Sequence, residues 1–350
     1  MNLRRLSVAI AGALTLQSAI ASAAEYRITD LGAVDDGLIE AAAINDMGAV
    51  VGRISVSGND GYEHAFHYQH GARTSLVPPG AFTSSAYAIN QLGVTVGSYS
   101  AIPGTSTVFL WDAITGFRDL PLDRPFVPQS ITNTGWIAGV GHRRAYLYSP
   151  ESGLQEIGDD YDGFNAAYGI NELEQVVGTV GSSSEQSNAF FYQDGELTIL
   201  DPSSTSGAAY KINEYGQVVG VSGSHGFLWS ENEGLLDLGT LGGDGSTALG
   251  INDAGTVVGV SQTIPGEFEV RAFVYDSTRG MKQLDELLPS DSGWQLLYAN
   301  DINSKGQIVG WGLRNGASRG FLLTPIPEPA AMALALAGLG ALLIFARRGR

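Results

Sequence analysis

The strongest constraint on the fold is a nine-residue phrase that recurs along the chain. It reads Ile-Asn-x-x-Gly-x-x-Val-Gly, and clear copies begin at Ile44, Ile89, Ile170, Ile212, Ile251 and Ile302. A seventh, degenerate copy runs from Ile131 to Gly139 with Thr132 in place of Asn, and the copy at Ile170 has Glu174 in place of its first Gly. A spacing of about 40 residues is typical of solenoids and propellers.

An apolar strand with aromatic residues follows each phrase. These strands are Ala65–Tyr68, Val108–Trp111, Ala145–Tyr148, Ala189–Tyr192, Gly226–Trp229, Ala272–Tyr275 and Gly320–Leu323. Asn and Gly favour a turn inside the phrase because both tolerate positive φ. Each repeat therefore predicts four short antiparallel strands, ending in one like Leu235–Leu238, and four such strands make one propeller blade.

The two ends of the repeat region predict a closed ring. Tyr26–Gly32 resembles the fourth strand of a repeat, such as Gly234–Gly239, while the seventh repeat stops after its third strand at Leu323. Pairing the first strand with the last repeat would leave no open edge at the seam. The fold class is therefore all-β, a seven-bladed propeller of four-stranded blades closed by the N-terminal strand. An open solenoid is the alternative, although it would need capping segments.

Composition restricts the partners. The formal net charge is −17, and leaving out the five Arg and one Glu of the two terminal segments gives 14 basic and 35 acidic residues. Nucleic acid is excluded as a partner because phosphate binding depends on basic patches. The chain has no Cys, so neither disulfides nor Cys-ligated zinc contribute.

Residues 1–24 read as a secretory signal peptide. Arg4 and Arg5 precede an apolar stretch, and small residues lead to a cleavage site near Ala23 and Ala24. An uncleaved membrane anchor is the alternative. The propeller is then assigned to residues 25–325.

Residues 326–350 contain Pro327, Glu328 and Pro329, an uncharged run from Ala330 to Ala346, and terminal Arg residues. The run is long enough for a transmembrane helix with the basic tail in the cytoplasm, and a plain single-pass anchor is one interpretation. The three-part order also resembles the PEP-CTERM sorting signal. That resemblance implies processing by an exosortase in a Gram-negative bacterium that makes exopolysaccharide. It implies a periplasm-facing inner-membrane intermediate, followed by the outer envelope or extracellular matrix.

The repeats themselves resemble a known family. Asp237–Gly243, Ala248–Asn252 and His64–Phe66 are similar to the HAF family of bacterial extracellular repeats. The resemblance implies an extracellular repeat protein and supplies no catalytic or cofactor-binding residues.

The recurring Asn favours a scaffold role over a ligand-binding ring, because it stands beside a turn in every repeat. The next residue is often acidic, at Asp46, Glu172, Glu214 and Asp253. In a propeller these side chains would gather around the channel, either as solvated turn residues or as oxygen ligands of a cation.

The variable loops at the opposite face carry carboxylates and aromatic residues. Asp159, Asp160 and Asp162 are candidate calcium ligands, although the full EF-hand pattern is absent. The remaining candidates at this face are Asp35, Asp36, Asp244 and Asp291 with Tyr161, Phe164 and Trp294. Such groups suit sugar stacking and hydroxyl binding.

No catalytic motif is present, and the His-x-x-His spacing of His64 and His67 places the two side chains on opposite faces of a strand. The sequence therefore predicts a non-enzymatic binding scaffold associated with exopolysaccharide or a matrix protein. The alternative is a polysaccharide-active propeller enzyme, a glycoside hydrolase or lyase that uses carboxylates on the variable face.

Overall fold

In the computed structural model of the chain, residues 24–32, 37–55, 62–158, 163–182 and 186–327 are described. Their strands form seven antiparallel sheets of four strands each. The predicted signal peptide up to Ala23 and the predicted sorting segment from Glu328 onward lie outside these residues. No helix within the described ranges is long and apolar enough to cross a membrane.

The first four blades follow the repeats in chain order. Blade 1 contains β2 (Leu38–Ile44), β3 (Val50–Ser55), β4 (Glu63–Gln69) and β5 (Ala72–Leu76). Blade 2 contains β6 (Thr83–Ile89), β7 (Thr95–Ser100), β8 (Thr107–Asp112) and β9 (Gly116–Leu120). Blade 3 contains β10 (Val127–Ile131), β11 (Ile137–Gly141), β12 (Arg144–Ser149) and β13 (Gly153–Ile157). Blade 4 contains β14 (Phe164–Ile170), β15 (Val176–Gly181), β16 (Ser187–Gln193) and β17 (Glu196–Ile199).

The last three blades include the closing one. Blade 5 contains β18 (Gly207–Ile212), β19 (Val218–Ser222), β20 (His225–Ser230) and β21 (Gly234–Asp237). Blade 6 contains β22 (Ser246–Ile251), β23 (Val257–Gln262), β24 (Val270–Asp276) and β25 (Gly280–Gln283), followed by a 3-10 helix at Leu284–Leu287. Blade 7 contains β26 (Trp294–Ile302), β27 (Ile308–Arg314) and β28 (Ala317–Pro325), with β1 (Tyr26–Asp30) as its outer strand.

The first strands of neighbouring blades contact one another around the ring, and β26 contacts β2 to complete it. Strand β1 pairs with β28 from Tyr26 opposite Pro325 to Asp30 opposite Phe321. The seven-bladed, four-stranded propeller closed by the N-terminal strand is therefore confirmed, and the open solenoid is wrong.

The core consists of apolar layers between adjacent blades, each built around a buried aromatic side chain of a third strand. These are Phe66, Phe109, Tyr146, Phe190, Phe227, Phe273 and Phe321. The final Gly of the phrase allows the first and second strands of a blade to approach closely: a Cβ added to Gly178 would lie 1.9 Å from the carbonyl oxygen of Ala166 on the first strand. Only Gly allows this approach, which explains its recurrence.

The first Gly of the phrase has a different role. Gly216 has φ +72°, which an L side chain rarely adopts, and Glu174 takes the equivalent conformation with φ +61°. The turn geometry is thus retained in blade 4 although the sequence departs from the phrase.

Candidate functional site

The recurring Asn residues form a buried ring of hydrogen bonds around the axis. In blade 5 the Asn213 Oδ1 accepts the backbone N–H groups of Tyr215 and Gln217 at 3.1 and 2.9 Å. Its Nδ2 donates to the carbonyl oxygen of Asn252 in the next blade at 3.0 Å. Equivalent links between blades are made by Asn45, Asn90, Asn171, Asn252 and Asn303. Each Asn both shapes its own turn and joins two blades, so its recurrence follows from the scaffold.

The residues after these Asn positions form a second ring at the end of the propeller, which we call the turn face. Around the channel they are Asp46, Gln91, Asn133, Glu172, Glu214, Asp253 and Ser304. Most of these side chains accept a backbone N–H from the neighbouring blade, as when Asp253 Oδ1 accepts that of Glu214 at 3.0 Å. The turn-face mouth encloses about 310 Å³. Among the described residues, no group of three or more His, Asp or Glu side chains could hold a metal ion.

An ion pair lies within the channel below this mouth. Lys211 Nζ of blade 5 lies 3.2 Å from Asp301 Oδ1 of blade 7, while Asp301 Oδ2 accepts the backbone N–H of Ile44. Gly250 stands at the equivalent position of blade 6, where an added Cβ would lie 3.0 Å from the Cα of Asp301. The remaining side chains of this layer are small.

A ring of β-bulges surrounds the other end of the channel, towards the variable face. Every first strand carries a bulge at the same register, two residues before the Ile of its phrase. The bulged residues, which we call the bulge ring, are Ala42, Tyr87, Gln129, Tyr168, Tyr210, Leu249 and Asn300. Bulges re-aim side chains and are enriched beside functional sites. Neither the ring nor its position was predicted from the sequence.

The bulge ring opens into an axial cavity of about 370 Å³. Five of its members line the cavity together with Glu40, Arg53 and Ala86. Arg53 Nη2 lies 2.7 Å from Glu40 Oε2 and therefore fixes the only carboxylate among the described lining residues. The cavity thus combines a tyrosine ring, two amides and a guanidinium–carboxylate pair.

Two further members of the bulge ring pack against each other. The rings of Tyr168 and Tyr210 are 5.4 Å apart at a tilt of 42°. Burial, and then the neighbouring Tyr210, raise the pKa of Tyr168 to about 12. Both phenols therefore stay neutral at physiological pH, where each can donate a hydrogen bond.

A second concavity follows the closing blade, which we call the seam groove. It has a volume of about 560 Å³ and brings together Trp294 and Asp291, which the sequence singled out, with Asp30 and Arg314. The guanidinium of Arg314 lies 6.0 Å from the centre of the Trp294 ring and bonds Asp30. The face of this Trp is therefore already covered, and 7% of the residue remains exposed.

Other sequence candidates lie elsewhere. Asp244 Oδ2 accepts the backbone N–H of Gly266 and so orders a loop of blade 6. Phe164 of blade 4 packs beneath Arg143 of blade 3 and lines neither cavity. The calcium candidates Asp159, Asp160 and Asp162, with Tyr161, Asp35 and Asp36, lie outside the described residues. Of the predicted sorting motif only Pro327 is described, at the edge of the seam groove.

The histidine pair has no shared site. His67 packs against the Trp111 ring at a centroid distance of 5.0 Å, and burial lowers the pKa of its imidazole. This contact belongs to the layer between blades 1 and 2. His67 is therefore part of the packing.

Comparisons with known proteins support the architecture. No family model matches the sequence. No curated protein matches it either. Among solved structures, YCF48 bound to D1 peptide is similar with TM-score 0.51 and 12% identity, over 87% of this chain and 96% of that chain. YCF48 from Cyanidioschyzon merolae gives TM-score 0.50 and 11% identity, over 86% and 99%. At these identities the similarity establishes the propeller fold alone.

Proposed function

We propose that this protein is an exported, non-enzymatic binding propeller whose bulge ring holds a saccharide of the cell envelope or extracellular matrix. The bulge ring carries this proposal. Its side chains differ from blade to blade, whereas the Asn, Ile and Gly positions beside it are shared. A site that is specific for one asymmetric ligand needs such differences, because seven identical side chains would offer the same contact in every blade.

The chemistry of the ring suits a saccharide. Tyr87 offers a flat apolar surface with a polar tip, and the amides of Gln129 and Asn300 can both donate and accept hydrogen bonds. Sugar rings present C–H faces and hydroxyl groups that match both kinds of group. The cavity volume also falls within the usual range for small-ligand sites, roughly 300–1,000 Å³.

The arrangement of carboxylates favours binding over hydrolysis. Glycosidases of the common types use two Asp or Glu residues on either side of the scissile bond. In the axial cavity Glu40 is already paired with Arg53, which in turn lies 3.5 Å from Glu63. The rival function, a glycoside hydrolase or lyase, would need a second carboxylate at the ligand.

The sequences of the two terminal segments support an exported location for this binding activity. The export signal ending near Ala23 and Ala24, and the sorting motif at Pro327, Glu328 and Pro329, support delivery through the inner membrane of a Gram-negative bacterium. An exosortase-type enzyme would process the motif. Mass spectrometry of the mature protein tests this route by locating its two ends.

A glycan array with the purified protein, followed by calorimetric titration of its best ligand, tests the proposed function. We expect Tyr87→Ala and Gln129→Ala each to weaken binding about tenfold, which corresponds to about 1.4 kcal/mol. Tyr215→Ala, an exposed tyrosine on the turn face, is the matched control and should leave binding unchanged. Release of product without stable binding would favour the enzyme. Repeating the titration with EDTA tests a calcium contribution from Asp159, Asp160 and Asp162.

A further inference from the structure

The turn face carries apolar side chains that the fold does not use. The residue two positions after the Asn is Met47 in blade 1, Leu92 in blade 2, Leu173 in blade 4 and Tyr215 in blade 5. Their exposed fractions are 51, 68, 61 and 75%. We call these four side chains the apolar rim. Blades 3, 6 and 7 have Thr134, Ala254 and Lys305 at this position.

Turn chemistry does not explain the rim. Each member is a central residue of the turn inside the nine-residue phrase. In blade 1 this turn holds Met47 and is closed by a hydrogen bond from the Gly48 N–H to the Asn45 carbonyl. Such positions favour small or polar residues. Large exposed apolar side chains grouped at one end of a monomeric protein mark an interaction surface.

The rim lies beside the acidic turn-face mouth. One carboxylate oxygen of Asp46, Glu172 and Asp253 accepts a backbone N–H from a neighbouring blade. Within the described part of the chain, the second oxygen of each makes no hydrogen bond or ion pair. The nearest cation in the mouth, Lys211, is already paired with Asp301. Burial, and the carboxylates of Glu172 and Asp253, raise the pKa of Glu214.

These carboxylates are spread around the opening, and no three of them form a metal-binding group. A Lys or Arg side chain is long enough to approach several of these carboxylates, whereas one small ion cannot contact them all. A second copy of the chain docked through the same face would set like charges against each other. The excess of negative charge in the whole chain, −17, likewise disfavours an anionic membrane surface.

We propose that the turn face docks a protein segment that places a Lys or Arg side chain in the turn-face mouth and apolar side chains on the rim. This surface lies at the opposite end of the channel from the bulge ring. A partner bound there leaves the saccharide site open, so the propeller would link a protein to a glycan.

Three synthetic peptides test the proposal by fluorescence anisotropy: one alternating Leu and Lys, one alternating Ser and Lys, and one alternating Leu and Glu. We expect the Leu/Lys peptide to bind at least about tenfold more tightly than the other two, a difference of about 1.4 kcal/mol. Its affinity should fall as salt is raised, because exposed charges are screened. The proposal would be overturned if the Leu/Lys peptide showed no saturable binding at peptide concentrations up to about 1 mM, which corresponds to a binding free energy of about −4 kcal/mol.

Two variants separate the contributions. Leu92→Ser/Leu173→Ser/Tyr215→Ser removes most of the rim, and Glu172→Gln/Asp253→Asn removes charge while keeping an oxygen for each backbone N–H. Each should weaken binding of the Leu/Lys peptide about tenfold or more. Phe268→Ser, which alters a side chain 96% exposed in a loop of the opposite face, should have no effect.

Three results would contradict the docking surface. Unchanged binding by the rim variant would reduce the interaction to general charge attraction. Stoichiometric calcium binding that is lost in the Glu172→Gln/Asp253→Asn variant would assign the mouth to a metal ion. Dimers seen by sedimentation that dissociate in the rim variant would assign the face to a second copy of the chain. The Tyr87→Ala variant should keep full peptide affinity.

Discussion

The carboxylate of Asp30 lies 2.9 Å from Arg314 Nη1, which is 284 positions later in the chain. The same oxygen lies 3.2 Å from Arg319 Nη1. These contacts join β1 to β27 and β28 at the seam where the ring closes. The groups are partly exposed, so the ion pairs add little, and closure depends mainly on the strand and its apolar side chains.

Deletion of residues 26–31 should sharply lower stability. It removes the outer strand of blade 7 and the buried side chains of Tyr26 and Leu31. At about 1.5–3 kcal/mol per fully buried large side chain, the loss is about 3–6 kcal/mol. We expect a fall of about 10 °C or more in the melting temperature by calorimetry. Asp30→Asn is the control and should cost less than about 1 kcal/mol. A melting temperature unchanged by the deletion would mean that the ring does not depend on this strand.

Thr132→Asn should stabilise the protein. Thr132 Oγ1 accepts the Trp136 N–H at 3.1 Å, yet it has no donor that reaches the carbonyl of Asn171 in blade 4. An Asn there would supply the missing link of the buried ring, worth about 0.5–1.5 kcal/mol. Urea denaturation measures the gain. Asn213→Ala is the opposite test and should cost about 1–3 kcal/mol, because it leaves buried backbone groups unpaired. A destabilising Thr132→Asn would show that blade 3 cannot adopt the geometry of the other turns.

Glu214→Gln should raise stability at neutral pH. The raised pKa of Glu214 means that the folded state holds its proton more tightly than the unfolded state. The resulting stability is present below the unfolded pKa and lost as pH rises through the folded pKa. The advantage of the Gln variant should therefore be clear at pH 7 and vanish near pH 4 in denaturation curves.

Asp201→Asn is a control that should change stability at pH 7 in the direction opposite to Glu214→Gln. Hydrogen bonds from Ser203 and Ser222 lower the pKa of Asp201. Its contribution to stability is therefore present above the unfolded pKa and lost as pH falls through the folded pKa. The Asn variant should be destabilised at pH 7. Gains by both variants at pH 7 would contradict these assignments.

Lys211 and Asp301 should be energetically coupled. Asp301 is 4% exposed, so removing the ammonium group leaves a buried carboxylate with the Ile44 N–H alone. A double-mutant cycle with Lys211→Met and Asp301→Asn should give a coupling energy of about 1–3 kcal/mol by chemical denaturation. Additive effects within about 0.5 kcal/mol would show that the pair does not bridge the channel in solution.

The sequence predicted the blades and their closure because both depend on local signals. Asn and Gly at fixed positions define the turns, and the strand at Tyr26–Asp30 matches the one that the last repeat lacks. The structure confirms these elements. The link from each Asn to the next blade was not predicted, because it joins residues at least 39 positions apart through a side-chain amide.

The bulge ring escaped prediction for a related reason. A bulge is defined by its partner strand, and Tyr87, Gln129 and Asn300 share no residue type that a repeat search would find. The available signal was variability: the residue two positions before the Ile differs from repeat to repeat, although the phrases themselves agree. The sequence predicted a ligand site in the carboxylate-rich loops instead. Of the candidate residues there, Asp291 and Trp294 lie together in the seam groove.

A crystal structure with the best oligosaccharide from the glycan array tests the central claim most directly. The account predicts density for the sugar in the axial cavity, in contact with Tyr87, Gln129 and Asn300. An empty axial cavity, with the sugar in the seam groove or on the outer blades, would contradict it.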